Sequence, residues 1–326
     1  AEQLQAAKPY ALSHFRFADR AHPVVRALMR LYVRRICVTN KELPPFPEDV
    51  APAAEAQPRP LDPAALAREN AGLVSLPEVF HKVLDAINDP RTSAGHIAEL
   101  VSRDANLSAR LLRLVNSPYY GFAEKIATLS RALALVGTDK LGQLVVGMGA
   151  VDAFKDVDRS RFDLYGFWQH SVTCALVASA LAHEMDTDAE EESFVTGLLH
   201  DIGRVAVAKL APEATLTAMG PAQWPEVPPL QVEKRCWGTT HAVLGGELLR
   251  TWHLPDALRR GVAEHHTPRS CGLARQAVLA HVADVIAHAM DRRLLPGGSV
   301  PALEPEAWEA LGLTSNVIDR VVVQVD

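Results

Sequence analysis

The chain has few of the features that mark secreted, membrane-spanning or nucleic-acid-coating proteins. Its four cysteines, Cys37, Cys174, Cys236 and Cys271, stand singly with no CxxC pair, which argues against a zinc ribbon or a redox dithiol and for reduced thiols. No apolar run is long enough to span a bilayer, and the opening AEQLQAAKPY lacks a signal-peptide core. No membrane span and a cytoplasmic location are therefore expected. Basic residues are not in excess: 33 Lys and Arg stand against 39 Asp and Glu, a net charge of −6. That balance leaves no footprint for direct nucleic-acid binding, while a local cleft can still take a phosphate ester. Period-two alternation, the mark of strands, is almost missing. An initiator Met is also lacking, as expected of a trimmed sequence, which leaves room for a domain upstream.

What is present is helical pattern. Hydrophobic residues make up 48% of the 326 positions, enough for one large or two ordinary cores. Residues 1–60 form a first segment, an N-terminal helix and a linker. In it, HPVVRALMRLYVRRI sets Val25, Leu28, Met29, Tyr32 and Ile36 at helical spacing, with Arg26, Arg30 and Arg34 on another face. A basic helix of this kind can lie on a membrane surface, but a packed or dimerising helix is the favoured expectation, so a homodimer stands among the candidate partners. The Pro-rich stretch 44–60 reads as an extended linker or wrapping arm.

Residues 61–154 form a second segment of five short helices. Ser75-Leu76-Pro77-Glu78 has capping-box spacing and opens a helix that Asn88-Asp89-Pro90 closes, while Ser93 and Asp104 cap the next two. Asn116-Ser117-Pro118 ends the third, Thr128 or Ser130 opens a fourth that stops at Gly137, and a fifth runs from Thr138 to Phe154. In the third segment, 155–326, longer helices are predicted over 167–185, 193–210, 241–252, 256–265 and 272–290, with another around Trp237. The expected fold class is an all-α multi-helix bundle with an N-terminal helical subdomain.

Seven residues of the third segment carry the chemistry: His170, the pair His200-Asp201, His241, the doublet His265-His266, and Asp284. Neutral imidazoles and carboxylates suit first-row divalent metals, and one carboxylate can bridge two ions that polarise a water between them. His200 and Asp201 sit in FVTGLLHDIG, in what reads as the middle of the 193–210 helix. A carboxylate among apolar neighbours is costly unless it is paired or bound to metal, so Asp201 needs a partner. The other histidines, His14, His22, His81, His96, His183, His253, His281 and His288, read as ordinary hydrogen-bonded or surface residues. His183 and His288 sit in late helix turns, where an imidazolium also suits the macrodipole.

The stretches Leu76-Pro77-Glu78, DANLSARLLRLVNS over 104–117, Tyr119-Tyr120-Gly121, Ser130-Arg131-Ala132 and Leu135-Val136-Gly137 resemble the HDOD family, the HD-related output domain of bacterial signalling proteins. GLLHDIGR over 197–204 and HAVLGGELL over 241–249 fit the same family and the wider HD superfamily of metal-dependent phosphohydrolases. The resemblance covers about residues 70–290 and implies an HD-like helical fold. It also implies that His170, His200, Asp201 and Asp284 match the basic metal quartet, with His241, His265 and His266 matching the extra ligands of binuclear members. HDOD domains are usually regulatory and many lack part of this set, so retention of all seven is a departure. Three others are Ala105 where the family usually has proline, Arg204 where HD-GYP enzymes carry lysine, and Thr267-Pro268-Arg269 in place of a GYP segment.

The expectation is a bacterial signal-transduction module that keeps an HD-type pocket for one or two divalent ions. Iron or manganese is favoured, with zinc or magnesium as alternatives. Its partners would be signalling proteins or a nucleotide-type small molecule. The main alternative is a metal-dependent phosphohydrolase acting on a nucleotide or cyclic-dinucleotide phosphodiester; a third reading is a structural helical scaffold in which the histidines are incidental. In the phosphohydrolase reading Asp201 and Arg204 are catalytic, Asp201 by bridging the ions and Arg204 by offsetting charge on the phosphoryl oxygens.

Overall fold

The computed structural model describes residues 2–39, 59–69, 74, 76–89, 91–117, 120–219, 227–291 and 299–325. Among them there is no β-strand, and the chain forms two compact units, residues 72–156 and residues 1–71 with 157–326.

The smaller unit holds α4 (Glu78–Asn88), α5 (Ala94–Ser102), α6 (Ala105–Val115), α7 (Leu129–Val136) and α8 (Thr138–Ala153). Local chemistry sets their starts. The Ser93 side chain accepts from His96 N, Asp104 from Asn106 N and Leu107 N, and Thr128 from Arg131 N. Each cap satisfies a backbone N–H that has no partner within its helix. Gly137, at φ 90°, separates α7 from α8 in a conformation that only glycine adopts readily. Leu107, Leu111 and Val115 recur on one face of α6 and are buried, as are Leu141, Leu144 and Val145 of α8. The expected capping Ser75 and the helix-ending Pro90 and Pro118 lie outside the described residues.

The larger unit begins with α1 (Glu2–His14), α2 (Pro23–Thr39) and α3 (Pro63–Glu69). It resumes with α9 (Leu164–Glu184), α10 (Glu190–Leu199), α11 (Ile202–Leu210), α12 (Pro212–Met219), α13 (Pro229–Trp237), α14 (His241–Thr251), α15 (Asp256–Glu264), α16 (Arg275–Met290), α17 (Pro305–Ala310) and α18 (Val317–Val325). Helices α9 and α16 are apolar around most of their circumference, because neighbours cover several sides of each. α2 is a packed helix: Val25, Leu28, Tyr32 and Ile36 join one hydrophobic core with Leu181 of α9, Leu279 and Ile286 of α16, Trp308 of α17 and Ile318 of α18. Arg26, Arg30 and Arg34 remain on its exposed side. The first helices, set apart in the sequence reading, thus share a core with the last third of the chain.

Two further features differ from the sequence expectation. The single helix expected over 193–210 is two helices, and His200-Asp201 forms the turn between them rather than a mid-helix pair. Asp201 has φ −98° and ψ 9°, and Arg204 N bonds back to its carbonyl at 2.8 Å. The cause is close packing: a Cβ at Gly203 would lie 2.0 Å from the His241 carbonyl oxygen, and one at Gly197 2.8 Å from the Cys174 carbonyl oxygen. The two glycines of GLLHDIG let α10 press on α9 and α11 on α14, and the turn reconciles the two directions. Beyond Met290 no element is legible in the sequence. The β-branched run Val321-Val322-Val323 is helical because Val317, Ile318, Val321 and Val322 bury one face of α18, which packs on α9. Of the Pro-rich arm, Arg59 N and Leu61 N bond to the Cys236 and Trp237 carbonyls at 2.7 Å. Most of the remainder lies outside the described residues.

Candidate metal centre

The site lies wholly in the larger unit, where the ends of α11, α14 and α15 meet the sides of α9 and α16. His170 comes from the second turn of α9, His200 and Asp201 from the turn before α11, His241 from the first residue of α14, His265 and His266 from the end of α15, and Asp284 from α16. Thr240 fixes the α14 start by accepting from Val243 N. All seven residues come together. Donor atoms of Asp201, His241, His265 and His266 lie within 4.8 Å of one another, as do those of His170, His200 and Asp201, and those of His200, His265 and Asp284.

Asp201 joins the two halves. Its Oδ1 is 2.8 Å from His241 Nε2 and 3.9 Å from His265 Nε2, while its Oδ2 is 3.6 Å from His200 Nε2. In the first half, Asp284 Oδ1 is 3.1 Å from His170 Nε2 and 3.5 Å from His200 Nε2. In the second, His266 Nε2 is 3.0 Å from His241 Nε2. His200, His241 and His265 are fully buried, and Asp201 and Asp284 nearly so.

Hydrogen bonds behind the rings decide which nitrogen faces inward. His200 Nδ1 donates to Gly197 O at 2.7 Å, His265 Nδ1 to Val262 O at 2.8 Å, and His241 Nδ1 to Glu233 Oε2 at 2.6 Å. In each neutral ring the Nε2 lone pair then points into the cluster, the arrangement that orients metal-ligating histidines elsewhere. His265 Nε2 is buried with no hydrogen-bond partner. His265 Nε2 thus offers an unpaired buried lone pair, and the His266–His241 and His170–His200 Nε2 pairs stand 3.0 and 3.3 Å apart, where one ring can donate to the other or both can face a shared cation. The donor set is therefore compatible with divalent metal.

The charges at the site divide the donor groups. Burial alone would push the Asp201 and Asp284 carboxyls up, but surrounding groups hold both well below the usual carboxylate range. Around Asp201 these are Arg204, His200 and His241; around Asp284 they are His288, His170 and His200. Burial lowers His265 to about 3, helped by His200 and His241, and it pushes His266 well down beside His265. His200 and His241 go the other way: against the lowering effect of burial, Cys174 and Asp201 hold His200 well above the usual imidazole value, and Glu233 and Asp201 raise His241. Because a ring binds metal in its neutral form, loading would displace a proton from each of these two.

Three residues at the site were not picked out by sequence. Glu233 of α13, buried at 2% exposure, bonds both the backbone N and Nδ1 of His241. In QVEKRCW it reads as an ordinary surface glutamate. His281, read as ordinary, is a brace: its Nδ1 donates to the His265 carbonyl at 2.8 Å, and its Nε2 accepts from Glu304 N at 2.9 Å. His288, also read as ordinary, has its Nε2 3.3 Å from Asp284 Oδ1. The spacing of four from Asp284 on one helix was the available signal. Arg204 turns its guanidinium to Asp201 Oδ2, with Nε at 3.2 Å, and to Glu233 at 3.6 Å.

The HDOD domain model matches residues 73–268. An uncharacterized protein of Treponema pallidum (strain Nichols) is 27% identical over 204 residues, which is 62% of this chain and 39% of that protein. The chain thus spans well under half the length of that relative. Among solved structures, a Shewanella amazonensis SB2B protein provisionally named a phosphohydrolase is 26% identical with a TM-score of 0.61, over 81% of this chain and 98% of its own. An HDOD domain protein of Geobacter sulfurreducens is 24% identical with a TM-score of 0.61, over 80% and 95%. A Marinobacter aquaeolei VT8 protein, provisionally named for signal transduction, is 19% identical with a TM-score of 0.62, over 82% and 65%. The last two show the shared fold alone. With the family match spanning more than half of its length, this chain belongs to the HDOD family.

Proposed function

We propose that this protein is a regulatory HDOD module of bacterial signalling whose larger unit binds two divalent ions, with iron or manganese preferred. The observation that carries the metal part is the inward convergence of Nε2 atoms whose Nδ1 partners are already committed, around a carboxylate with one oxygen toward each half. His170, His200 and Asp284 would hold one ion, His241, His265 and His266 the other, and Asp201 would bridge. The mixed nitrogen and oxygen set suits iron or manganese better than calcium. Membership of the HDOD family supports the regulatory part. A protein or nucleotide-type partner that responds to the loaded state is the corresponding reading.

A second reading is hydrolysis of a phosphodiester. It is favoured by the completeness of the donor set and by the name carried by the Shewanella relative. The bound ions would supply Lewis acidity and an activated water. This chain's own contribution would be to exclude bulk water through burial and to present Arg204 at the rim. Arg204 is a quarter exposed and would have to exchange part of its contact with Asp201 for a phosphoryl oxygen.

The experiment is metal analysis after anaerobic reconstitution with iron or manganese. The wild type should carry two equivalents and Asp201→Ala none; undiminished loading of Asp201→Ala refutes the assignment. Turnover of phosphodiester substrates by the loaded wild type decides between the regulatory and hydrolytic readings.

A further inference from the structure

We propose that His288 is an additional metal ligand, serving the half of the centre built on His170, His200 and Asp284. The inference rests on the two-ion reading and deepens it. Asp284 and His288 lie one turn apart on α16 and share a face. His288 Nε2 is 3.3 Å from Asp284 Oδ1, its ring centroid is 4.4 Å from that of His170, and donor atoms of all three residues lie within 4.8 Å of one another. Two donors bound to one ion at about 2.1 Å stand about 3 Å apart when adjacent and about 4.2 Å when opposite. The separations His170–Asp284 at 3.1 Å, His200–Asp284 at 3.5 Å, His288–Asp284 at 3.3 Å and His170–His200 at 3.3 Å fall in that range. The His288 side chain is 26% exposed and faces the cluster, unlike the freely solvated imidazolium expected at a helix end.

His288 is also held from behind. His14 Nε2 donates to the His288 carbonyl at 2.9 Å, and the His14 ring stacks on Tyr32 with centroids 4.4 Å apart and planes at 15°. Helices α1 and α2 lie before the residues matched by the family model, and Asp284 and His288 lie after them. The turn of α16 carrying His288 is thus braced by a part of the chain outside the recognised domain.

The two halves then differ. Five protein donors, from His170, His200, Asp201, Asp284 and His288, face one side, and four, from Asp201, His241, His265 and His266, face the other. For six-coordinate ions the first half keeps one position for water and the second keeps two. An anionic oxygen from outside, such as that of a phosphate ester, is therefore received at the His241–His265–His266 half.

The test uses the full chain reconstituted anaerobically with cobalt(II), as wild type, His288→Ala and His288→Gln, each checked for fold by circular dichroism. The readouts are equivalents bound, affinity by chelator competition, and the visible ligand-field bands. Wild type should bind two cobalt ions. His288→Ala should lose more than about 100-fold in affinity for one ion only, beyond the 10- to 100-fold that loss of an outer hydrogen bond costs, and added imidazole should restore it. His288→Gln keeps a hydrogen-bond donor for Asp284 but has no imidazole, and should stay defective. Wild-type affinity for both ions in either variant overturns the proposal and leaves the two-ion reading standing. A wild type that binds no cobalt overturns both.

Discussion

The two units treat polar side chains in opposite ways. Among the described residues, the buried polar and charged side chains, from His14 to Ser299, all lie in the larger unit and none in residues 72–156. In the smaller unit Ser93, Asp104 and Thr128 cap helices locally, and Arg110 of α6 pairs with Asp152 of α8 at 2.7 Å where both side chains are partly exposed. The larger unit buries Asp201, Glu233, Asp284 and a set of imidazoles, an arrangement that costs several kcal/mol per unpaired charge unless partners are supplied. One unit is specified by packing and the other by packing around a charge that needs a counter-charge. The most specific family signature, from Leu76 to Gly137, sits where there is no such chemistry.

This contrast can be tested by substitutions that separate stability from metal loading. Leu111→Ala, in the fully buried heart of the smaller unit, should cost about 2–5 kcal/mol in denaturant unfolding and leave metal equivalents unchanged. A fall in loading would show that the units are not independent in this respect. Glu233→Gln should do the reverse. It keeps the shape but removes the charge behind His241, so metal affinity by chelator competition should fall about 10- to 100-fold with the fold retained. Unchanged affinity would reduce Glu233 to a packing residue. Asp104→Ala, which removes the cap on two backbone N–H groups of α6, should cost about 1 kcal/mol and nothing in loading.

Legibility divides along the same line. The caps at Ser93, Asp104 and Thr128 and the stop at Gly137 were readable because a cap is made within a few residues of itself. The seven clustered residues were readable as types at recurring motifs, and the fold brings them together. The break at His200-Asp201 was not, since the apolar pattern continues through FVTGLLHDIGRVAV and the turn is imposed by contacts of Gly203 with α14. His288 looked like a helix-end histidine and Glu233 like a surface acid. The groups that give them another role are brought to them by packing: His241, eight positions from Glu233, and His170, on another helix.

By itself, the sequence determined a helical chain without membrane-spanning pattern, punctuated by local caps and carrying imidazoles and carboxylates of the right kinds, because periodicity and capping depend on neighbours a few positions away. Only the tertiary structure decided that Asp201 turns one oxygen to each half, that Nε2 rather than Nδ1 faces inward, and that Glu233, His281 and His288 stand at the site. Those outcomes depend on how the ends of α11, α14 and α15 meet α9 and α16. Side chains as far apart as His170 and Asp284, 114 positions distant, become neighbours only through burial of apolar faces that carry no record of their partners.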